Sequence, residues 1–558
     1  MFEEEIIKLL KKTGISATKE QLEIPPRKEF GDFSFPVFHL AKEQKKNPNE
    51  IAKYIHDKIK VGGIVKEVQA KGSYVNFFLD LDKISPYLLK ESLKKDFGKS
   101  GFGKNKEILI EFAHPNTHKG FHIGHLRNIS TGEAVCRILD YAGFKIFRCN
   151  YQGDIGPHVA KTLWGFINIY KQRPPKEVRE RLGEWLGEVY AEVSKKMQQN
   201  PEIEKEVEEI NKKLYAGDKK LLKIWKETRK WSLDDFEKIY KELGSHFDKY
   251  YFEAGVEKRG KEIVLEFFKK GVFQKSEGAI IFDLAEYNLG TIVVLTKNET
   301  PLYHSKDFAL AERQMSDFQP DLIIHVVGSE QKLYFEQLFK TLEIIKSPAA
   351  GKELHVIYEL VALKEGKMSS RMGSVVLYTD LRRQVFEKVR EEVLKRNPKL
   401  ASKKVDEIAN TITTAAMKYS MLNVSTDKTI QFDWQEALKL EGNTGPYIQY
   451  AITRANSVLK KGGKLKPTFS AELAEEEKNL IKLLQNFEEV VVHAAKDYKP
   501  HYVANYAYDL ATSFNKYYEK VPILKSKEKN FRLALVKAVK DTLEKSLWLL
   551  GIEVPEKM

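Results

Sequence analysis

The segment His114-Pro115-Asn116-Thr117-His118-Lys119-Gly120-Phe121-His122-Ile123-Gly124-His125 gathers imidazoles, an ammonium group and small residues into one short stretch. Such groups suit phosphate when a helix begins among them. A helix N-terminus offers unpaired N–H groups and the positive end of its dipole, two imidazoles at i, i+3 add donors, and a glycine leaves room for a base. Either histidine alone reads as a surface or satisfied core residue. His122, Gly124 and His125 together, after a strand and opening a helix, read as an element built to hold ATP. A second candidate is Gly366-Lys367-Met368-Ser369-Ser370-Arg371-Met372-Gly373, a polar cationic loop after the apolar Val361-Ala362-Leu363. Mobile cations there suit a reaction in which charge develops on departing pyrophosphate, although alone the stretch reads as a surface loop.

The flanking sequence supplies the elements that must hold these groups. The apolar run Ile108-Leu109-Ile110-Glu111-Phe112 comes first, and Val135, Ile138, Leu139 and Ala142 then recur at i, i+3, i+4, i+7. The pattern predicts a helix over residues 123–142 with Gly143 as its C-cap, and a second strand over 145–150. That is a βαβ unit, which implies a parallel sheet. Further buried strands are predicted over 279–284, 292–295, 322–327 and 354–363, giving an α/β domain over 99–378. Residues 165–250 are highly charged and helical in pattern, so they read as an insertion. Residues 1–98 join an amphipathic helix to the turn-rich Ile24-Pro25-Pro26 and the strand-like 73–79, a small α+β domain. Beyond about 381 strand signals vanish, and Val405, Ile408, Ala409, Ile412, Ala416 and Tyr419 recur at helical spacing, so 379–558 reads as an all-α bundle.

Composition narrows the function classes. The 558 residues are 42% hydrophobic and 31% charged, which fits a multidomain soluble protein and excludes disordered, collagen-like and membrane-spanning classes. Cys136 and Cys149 have no ligand-like spacing, so neither a disulfide framework nor a thiolate zinc site is expected. The start, Met-Phe-Glu-Glu-Glu-Ile-Ile-Lys, lacks the features of a signal peptide, and a cytoplasmic location is expected. Net charge is +14, of which +7 falls on residues 379–558, a candidate docking surface for a polyanion such as nucleic acid.

Together the two motifs resemble the paired signatures of class I aminoacyl-tRNA synthetases, and neighbouring segments narrow the resemblance to arginyl-tRNA synthetases. The ATP motif in EFAHPNTHKGFHIGHLRN (111–128), its sequel NYQGDIG (150–156) and EGNTGPYIQYAITRANS (441–457) are similar to that family. Gly31-Asp32-Phe33-Ser34-Phe35-Pro36 and Lys71-Gly72-Ser73-Tyr74-Val75-Asn76 resemble its additional tRNA-contacting domain. The resemblance implies a Rossmann-like catalytic domain with a helical insertion, an N-terminal α+β domain and a helical anticodon-binding domain. It implies a monomer that joins L-arginine to tRNA(Arg) using ATP, releasing AMP and pyrophosphate, with Mg2+ arriving on the ATP and no protein cage for the metal.

Residue roles carry over from the same resemblance. His122, His125, Lys367 and Lys119 would act in catalysis, and Gly124, Gly328, Glu330, Met368, Ser369, Ser370 and Arg371 would hold ATP. His114, Asn116, Tyr303, Asp307 and Gln331 would bind arginine. Asp307 also makes sense physically, because a planar guanidinium is best read by a carboxylate accepting two N–H groups beside an aromatic face. An N-cap or surface ion pair is the plainer alternative for it, and ordinary packing for Tyr303 and Gln331. One departure stands out: the common class I loop is Lys-Met-Ser-Lys-Ser, and its second lysine is Ser370 here. Arginyl enzymes lacking that lysine are similar in carrying one three residues before the first motif histidine, which is Lys119. A solvated lysine is the alternative. Other readings are a different class I synthetase, a small nucleotidyltransferase and a non-catalytic tRNA-binding relative. A cysteinyl enzyme would need thiolates that this chain lacks, a small transferase would not need the long helical tail, and the intact His122, Gly124, His125 and Lys367 argue against lost catalysis.

Overall fold

A computed structural model of the chain describes all residues except 1, 24, 26, 365–375, 470 and 471. The cationic loop with Lys367, Met368, Ser369, Ser370 and Arg371 therefore lies outside the described residues. Contacts divide the chain into two compact units, Met1–Phe97 with Ala455–Asn486 and Thr512–Thr542, and Gly98–Arg454 with Phe487–Ala511 and Leu543–Met558.

The larger unit is organised by five parallel strands: β1 (Glu107–Glu111), β2 (Lys145–Gln152), β3 (Lys249–Phe252), β4 (Leu322–Gly328) and β5 (Glu353–Tyr358). Their spatial order is β5-β4-β1-β2-β3, with every neighbouring pair parallel. The chain lays strands outward on one side of β1 and then returns to its other side, so the crevice between the ends of β1 and β4 is the switch point where such sheets bind ligands. Helix α1 (Ile123–Tyr141) crosses from β1 to β2, and Gly143 adopts φ 102° just past its C-cap Ala142, a left-handed turn that glycine takes without strain. Between β2 and β3 come α2 (Pro157–Asn168), α3 (Leu182–Gln199), α4 (Glu202–Tyr215) and α5 (Lys219–Glu242). Trp164, Phe166, Trp185, Val189 and Leu214 give this insertion a hydrophobic core of its own. Helices α6 (Glu253–Lys269), α7 (Tyr303–Phe318) and α8 (Lys332–Ile344) complete the part that carries the site.

Three strand expectations need correction. Ala279–Asp283 and Thr291–Leu295 lie outside the parallel sheet and form an antiparallel sheet with Gln274–Ser276. The turns joining them are too short for the dozen or more residues that a parallel crossover requires. The single strand expected over 354–363 is two: β5, and Val361–Leu363, which pairs with Ile430–Phe432 inside the region expected to be purely helical. The buried Arg127 guanidinium fastens that junction by donating to the carbonyls of Leu360 (3.0 Å), Thr426 (3.2 Å) and Lys428 (2.9 Å). Otherwise the chain beyond Tyr378 is helical, as expected.

In the smaller unit, Phe33–Pro36, Tyr74–Leu79 and Val65–Lys71 form an antiparallel sheet in that order. Its helix Leu81–Ser92 packs on Glu475–Gln485. The fully buried Glu477 carboxylate meets Arg532 at 2.8 Å.

Candidate active site

Glu111, the last residue of β1, lies beside His325 in the middle of β4, and the phosphate-suited segment leaves the sheet directly after Glu111. Its backbone is unusual: Ala113, His114 and His118 adopt φ of 79°, 48° and 65°. Left-handed conformations at residues with a Cβ cost about 1–3 kcal/mol each, so surrounding bonds must impose them. Asn128 of α1 does so at one end, its Oδ1 accepting from Ala113 N (2.6 Å) and its Nδ2 donating to Val326 O (2.8 Å). His118 is the other anchor. Its N–H donates to Ser232 Oγ and its ring pairs with Thr117 and Thr228 hydroxyls at 2.9 and 2.8 Å. Burial lowers the His118 pKa to about 3, which makes it a neutral structural histidine.

His122 and His125 build the start of α1 themselves. His122 is the N-cap, with extended φ −126° and ψ 172°, and its Nδ1 accepts from Gly124 N at 3.1 Å. His125 Nδ1 in turn accepts from His122 N at 3.1 Å, a reciprocal capping box made by imidazoles. The rings stack 3.7 Å apart. With both Nδ1 atoms accepting, each neutral ring carries its proton on Nε2. Burial, aided by the Lys119 charge, lowers the His122 pKa to about 4; burial, with the basic groups His122, His114 and Lys119 nearby, pushes His125 well below its ordinary value. The pair therefore presents two neutral N–H donors. Val376 and Leu377, which follow the cationic loop, join this turn: Ile123 N donates to Val376 O at 3.1 Å, and Leu377 bridges to His122.

Lys119 extends beside α3 of the insertion, its ammonium 5.3 Å from the Tyr190 ring centroid. Lys161 approaches the same ring at 4.8 Å and donates to Ser194 Oγ. Gly187 lets the helix approach this turn closely, since a Cβ there would lie 2.6 Å from Gly120 N.

The residues expected to bind an amino acid gather around β2, α6, α7 and the end of β4. Asn116 rests against Gly153, where an added Cβ would fall 2.1 Å from Asn116 Oδ1 and 3.2 Å from Glu253 Oε1. Gly153→Ala is therefore expected to displace the Asn116 side chain from this position. Glu253 forms a buried ion pair with Lys306 at 2.6 Å, and Asp154 another with Arg229 at 2.8 Å. Asp307 is not an N-cap, because Leu302 caps α7. Its carboxylate accepts from the Tyr334 hydroxyl, and burial raises its pKa to about 7 despite that bond. Tyr303 is 64% exposed, and Gln331 and Glu330 are exposed on the turn that follows Gly328. Burial lowers the pKa of His114, whose Nδ1 lies 3.8 Å from Glu111 Oε1.

Sequence reasoning missed Glu111, Gln314, His325, Tyr334 and Glu353. Glu111 Oε2 accepts from Gln314 Nε2, and its Oε1 meets His325 Nδ1 at 3.2 Å. Burial favours protonation of Glu111, yet His325, His114 and Gln314 together hold its pKa below the ordinary value. The available signal was a charge closing the apolar run 108–112 and an imidazole inside the apolar run 322–327, both costly unless paired.

A parallel sheet with a histidine-capped helix at its switch point, tied to the segment following a cationic loop, defines a class I synthetase fold. Residues 87–434 match the catalytic domain of class I (R) tRNA synthetases, 448–558 the DALR anticodon-binding domain, and 1–79 the arginyl-tRNA synthetase N-terminal domain. The chain belongs to the arginyl-tRNA synthetase family. It is 35% identical over 550 residues to an arginine–tRNA ligase of Clostridioides difficile, covering 96% of this chain and 95% of that one. It is 34% identical over 573 residues to the Halothermothrix orenii arginine–tRNA ligase, with both chains fully covered. The arginyl-tRNA synthetase of Thermus thermophilus superposes with TM-score 0.81 at 28% identity, covering 100% of this chain and 99% of that one.

Proposed function

We propose that the chain activates L-arginine and transfers it to tRNA(Arg) through the residues gathered at the switch point. As an arginine–tRNA ligase it works in two steps. The arginine carboxylate attacks the α-phosphorus of ATP in line, forming the C–O–P bond of arginyl-adenylate as the Pα–O–Pβ bond breaks and pyrophosphate leaves. The terminal ribose hydroxyl of tRNA then attacks the adenylate carbonyl, and AMP departs. No enzyme nucleophile is needed, so the rate comes from positioning and from charge complementarity to the transition state. His122 and His125 supply neutral donors at the α1 terminus, and Gly124 with Gly328 and Glu330 borders the nucleotide. Lys119, with Lys367, Met368, Ser369, Ser370 and Arg371 of the loop, would stabilise charge on the departing pyrophosphate. Mg2+ enters with ATP as part of that substrate.

Arginine would lie with its guanidinium on Asp307, beside Tyr303, and its α-amino and carboxylate end near Asn116, His114 and Gln331. The observation that carries this reading is the position of Asp307, a partly buried carboxylate on the first turns of α7 that accepts from Tyr334 and has no cationic side chain within ion-pair distance among the described residues. In the same proposal 1–98 contacts tRNA, 99–378 is catalytic and 379–558 reads the anticodon, in a cytoplasmic monomer. Among the described residues no helix is long and apolar enough to cross a membrane. Amino-acid-dependent exchange of pyrophosphate into ATP tests the whole reading. Exchange should require arginine rather than lysine or citrulline and should be strongest with tRNA present; exchange driven equally by lysine would overturn it.

A further inference from the structure

Lys161 is an ammonium group to which the reaction described above gives no task. It stands in the second turn of α2, and that helix is fastened to the turn before α1 by Thr162, whose Oγ1 donates to His118 O at 3.2 Å. Against α3 the helix packs closely: a Cβ on Gly165 would lie 2.6 Å from methyl groups of Val189 and Val193. Three residues of α3 then form a track. Gly187 meets the Gly120 backbone, Tyr190 meets both Lys119 and Lys161, and Ser194 Oγ accepts from Lys161 Nζ at 3.2 Å. Their spacing of i, i+3, i+7 keeps them on one helix face, over about 10 Å of rise. Gly120, Lys119 and Lys161 therefore follow one another along α3, in a line that begins two residues before the N-cap His122.

The two ammonium groups share the Tyr190 ring, Lys119 at 5.3 Å and Lys161 at 4.8 Å from its centroid. Neither has a carboxylate within ion-pair distance among the described residues. The acids of α3 are engaged elsewhere, Glu184 and Glu188 with Arg181, and Glu192 with Tyr170 and Lys196. Both lysines and the tyrosine are half-buried, so water screens the pair incompletely. Two like charges beside one ring repel, and an aromatic face offsets only part of that repulsion. A multiply charged anion would offset the rest. The anion made in the first step is pyrophosphate, and Lys161 lies one step further than Lys119 along the face that leads away from the α1 N-terminus.

We infer that Lys161 is a second cation for the departing pyrophosphate: with Lys119 on the Tyr190 ring it forms a two-ammonium site for the β- and γ-phosphates of ATP, supplying from the insertion side the charge that Ser370 does not supply from the loop. The inference rests on Lys119 acting on the leaving group. Tyr190 is then a positioning residue, holding both ammonium groups toward one anion.

The test uses the full chain with tRNA present and follows arginine-dependent exchange with inorganic pyrophosphate as the varied substrate, beside single-turnover adenylate formation. Lys161→Met keeps the stem on Tyr190 and removes the charge. It should raise pyrophosphate KM about tenfold and slow adenylate formation about tenfold or more, with the KM for arginine and for tRNA within about twofold. Lys161→Arg should recover most of both losses, and Tyr190→Leu, which removes the ring, should reproduce part of them. An unchanged pyrophosphate KM in Lys161→Met would overturn the inference, whatever the rate of adenylate formation. So would a loss confined to tRNA KM, which would give Lys161 to a tRNA phosphate. Adenylate formation at the wild-type rate in Lys119→Ala would instead overturn the reading on which the inference rests. Should Lys161→Met fail to fold, Tyr190→Leu decides: an unchanged pyrophosphate KM there sinks the proposal.

Discussion

Asp307→Asn is expected to weaken arginine binding by about 2 to 5 kcal/mol, roughly 30-fold to several thousand-fold, while ATP KM barely changes. The substitution keeps the shape, and the amide oxygen can still accept from Tyr334, so the fold around α7 should persist. What is lost is the charge. An amide offers one acceptor and turns an N–H group toward a guanidinium that has only donors. The size of the loss reflects partial burial of this carboxylate, since the same pair at a fully exposed site contributes about 0 to 1 kcal/mol. Tyr303→Ala should cost less, because a ring over a cation contributes about 0.5 to 2 kcal/mol and this ring is largely exposed. Steady-state exchange kinetics of both variants separate the two contributions. Wild-type arginine kinetics in Asp307→Asn would make this carboxylate structural.

Lys119→Ala is expected to slow arginyl-adenylate formation by about 100-fold or more, the scale of removing one donor to developing negative charge. The motive is the absent loop lysine, with Ser370 in its place. The structure adds a means of holding the replacement: the Tyr190 ring supports the Lys119 ammonium at 5.3 Å, and Gly187 lets that helix meet the Gly120 backbone. Arginine KM should change little, because the lost interaction forms with the leaving group. Single-turnover adenylate formation reads this directly, and a variant within about threefold of wild type would assign the role to Lys367 or Arg371.

The fold was legible where a local pattern was enough. Helical spacing from Val135 to Ala142 and the glycine after it placed α1 almost to the residue, and apolar runs located β1, β2 and β4. The misses were of two physical kinds. Some depend on partners distant in sequence: Ile430–Phe432 is a strand because Val361–Leu363 lies beside it, and Lys249–Phe252 because β2 does. Others depend on connection length, as with 279–284 and 292–295, whose apolar character marked them as strands but not as hairpin partners. In the site, the placement of His122, Gly124 and His125 at the start of α1 was legible, whereas the mutual capping of the two histidines through Nδ1 was not, since imidazoles are not among the usual caps. Asp307 was singled out through its neighbours in sequence, whereas the contacts of Glu111 with Gln314 and His325 join α7, β1 and β4 and exist only in the folded sheet.

The most direct measurement is the discrimination ratio between arginine and citrulline, the uncharged urea of nearly the same shape, in wild type and in Asp307→Asn. A site built around this carboxylate, closed over by bound substrate, should favour arginine in kcat/KM by about 10⁴ or more, since rejecting an analogue that leaves a polar group unpaired in the closed site reaches that scale. In Asp307→Asn the ratio should collapse by at least about 100-fold, chiefly through loss of arginine activity. An undiminished ratio in a folded Asp307→Asn protein would contradict the account and place guanidinium recognition elsewhere.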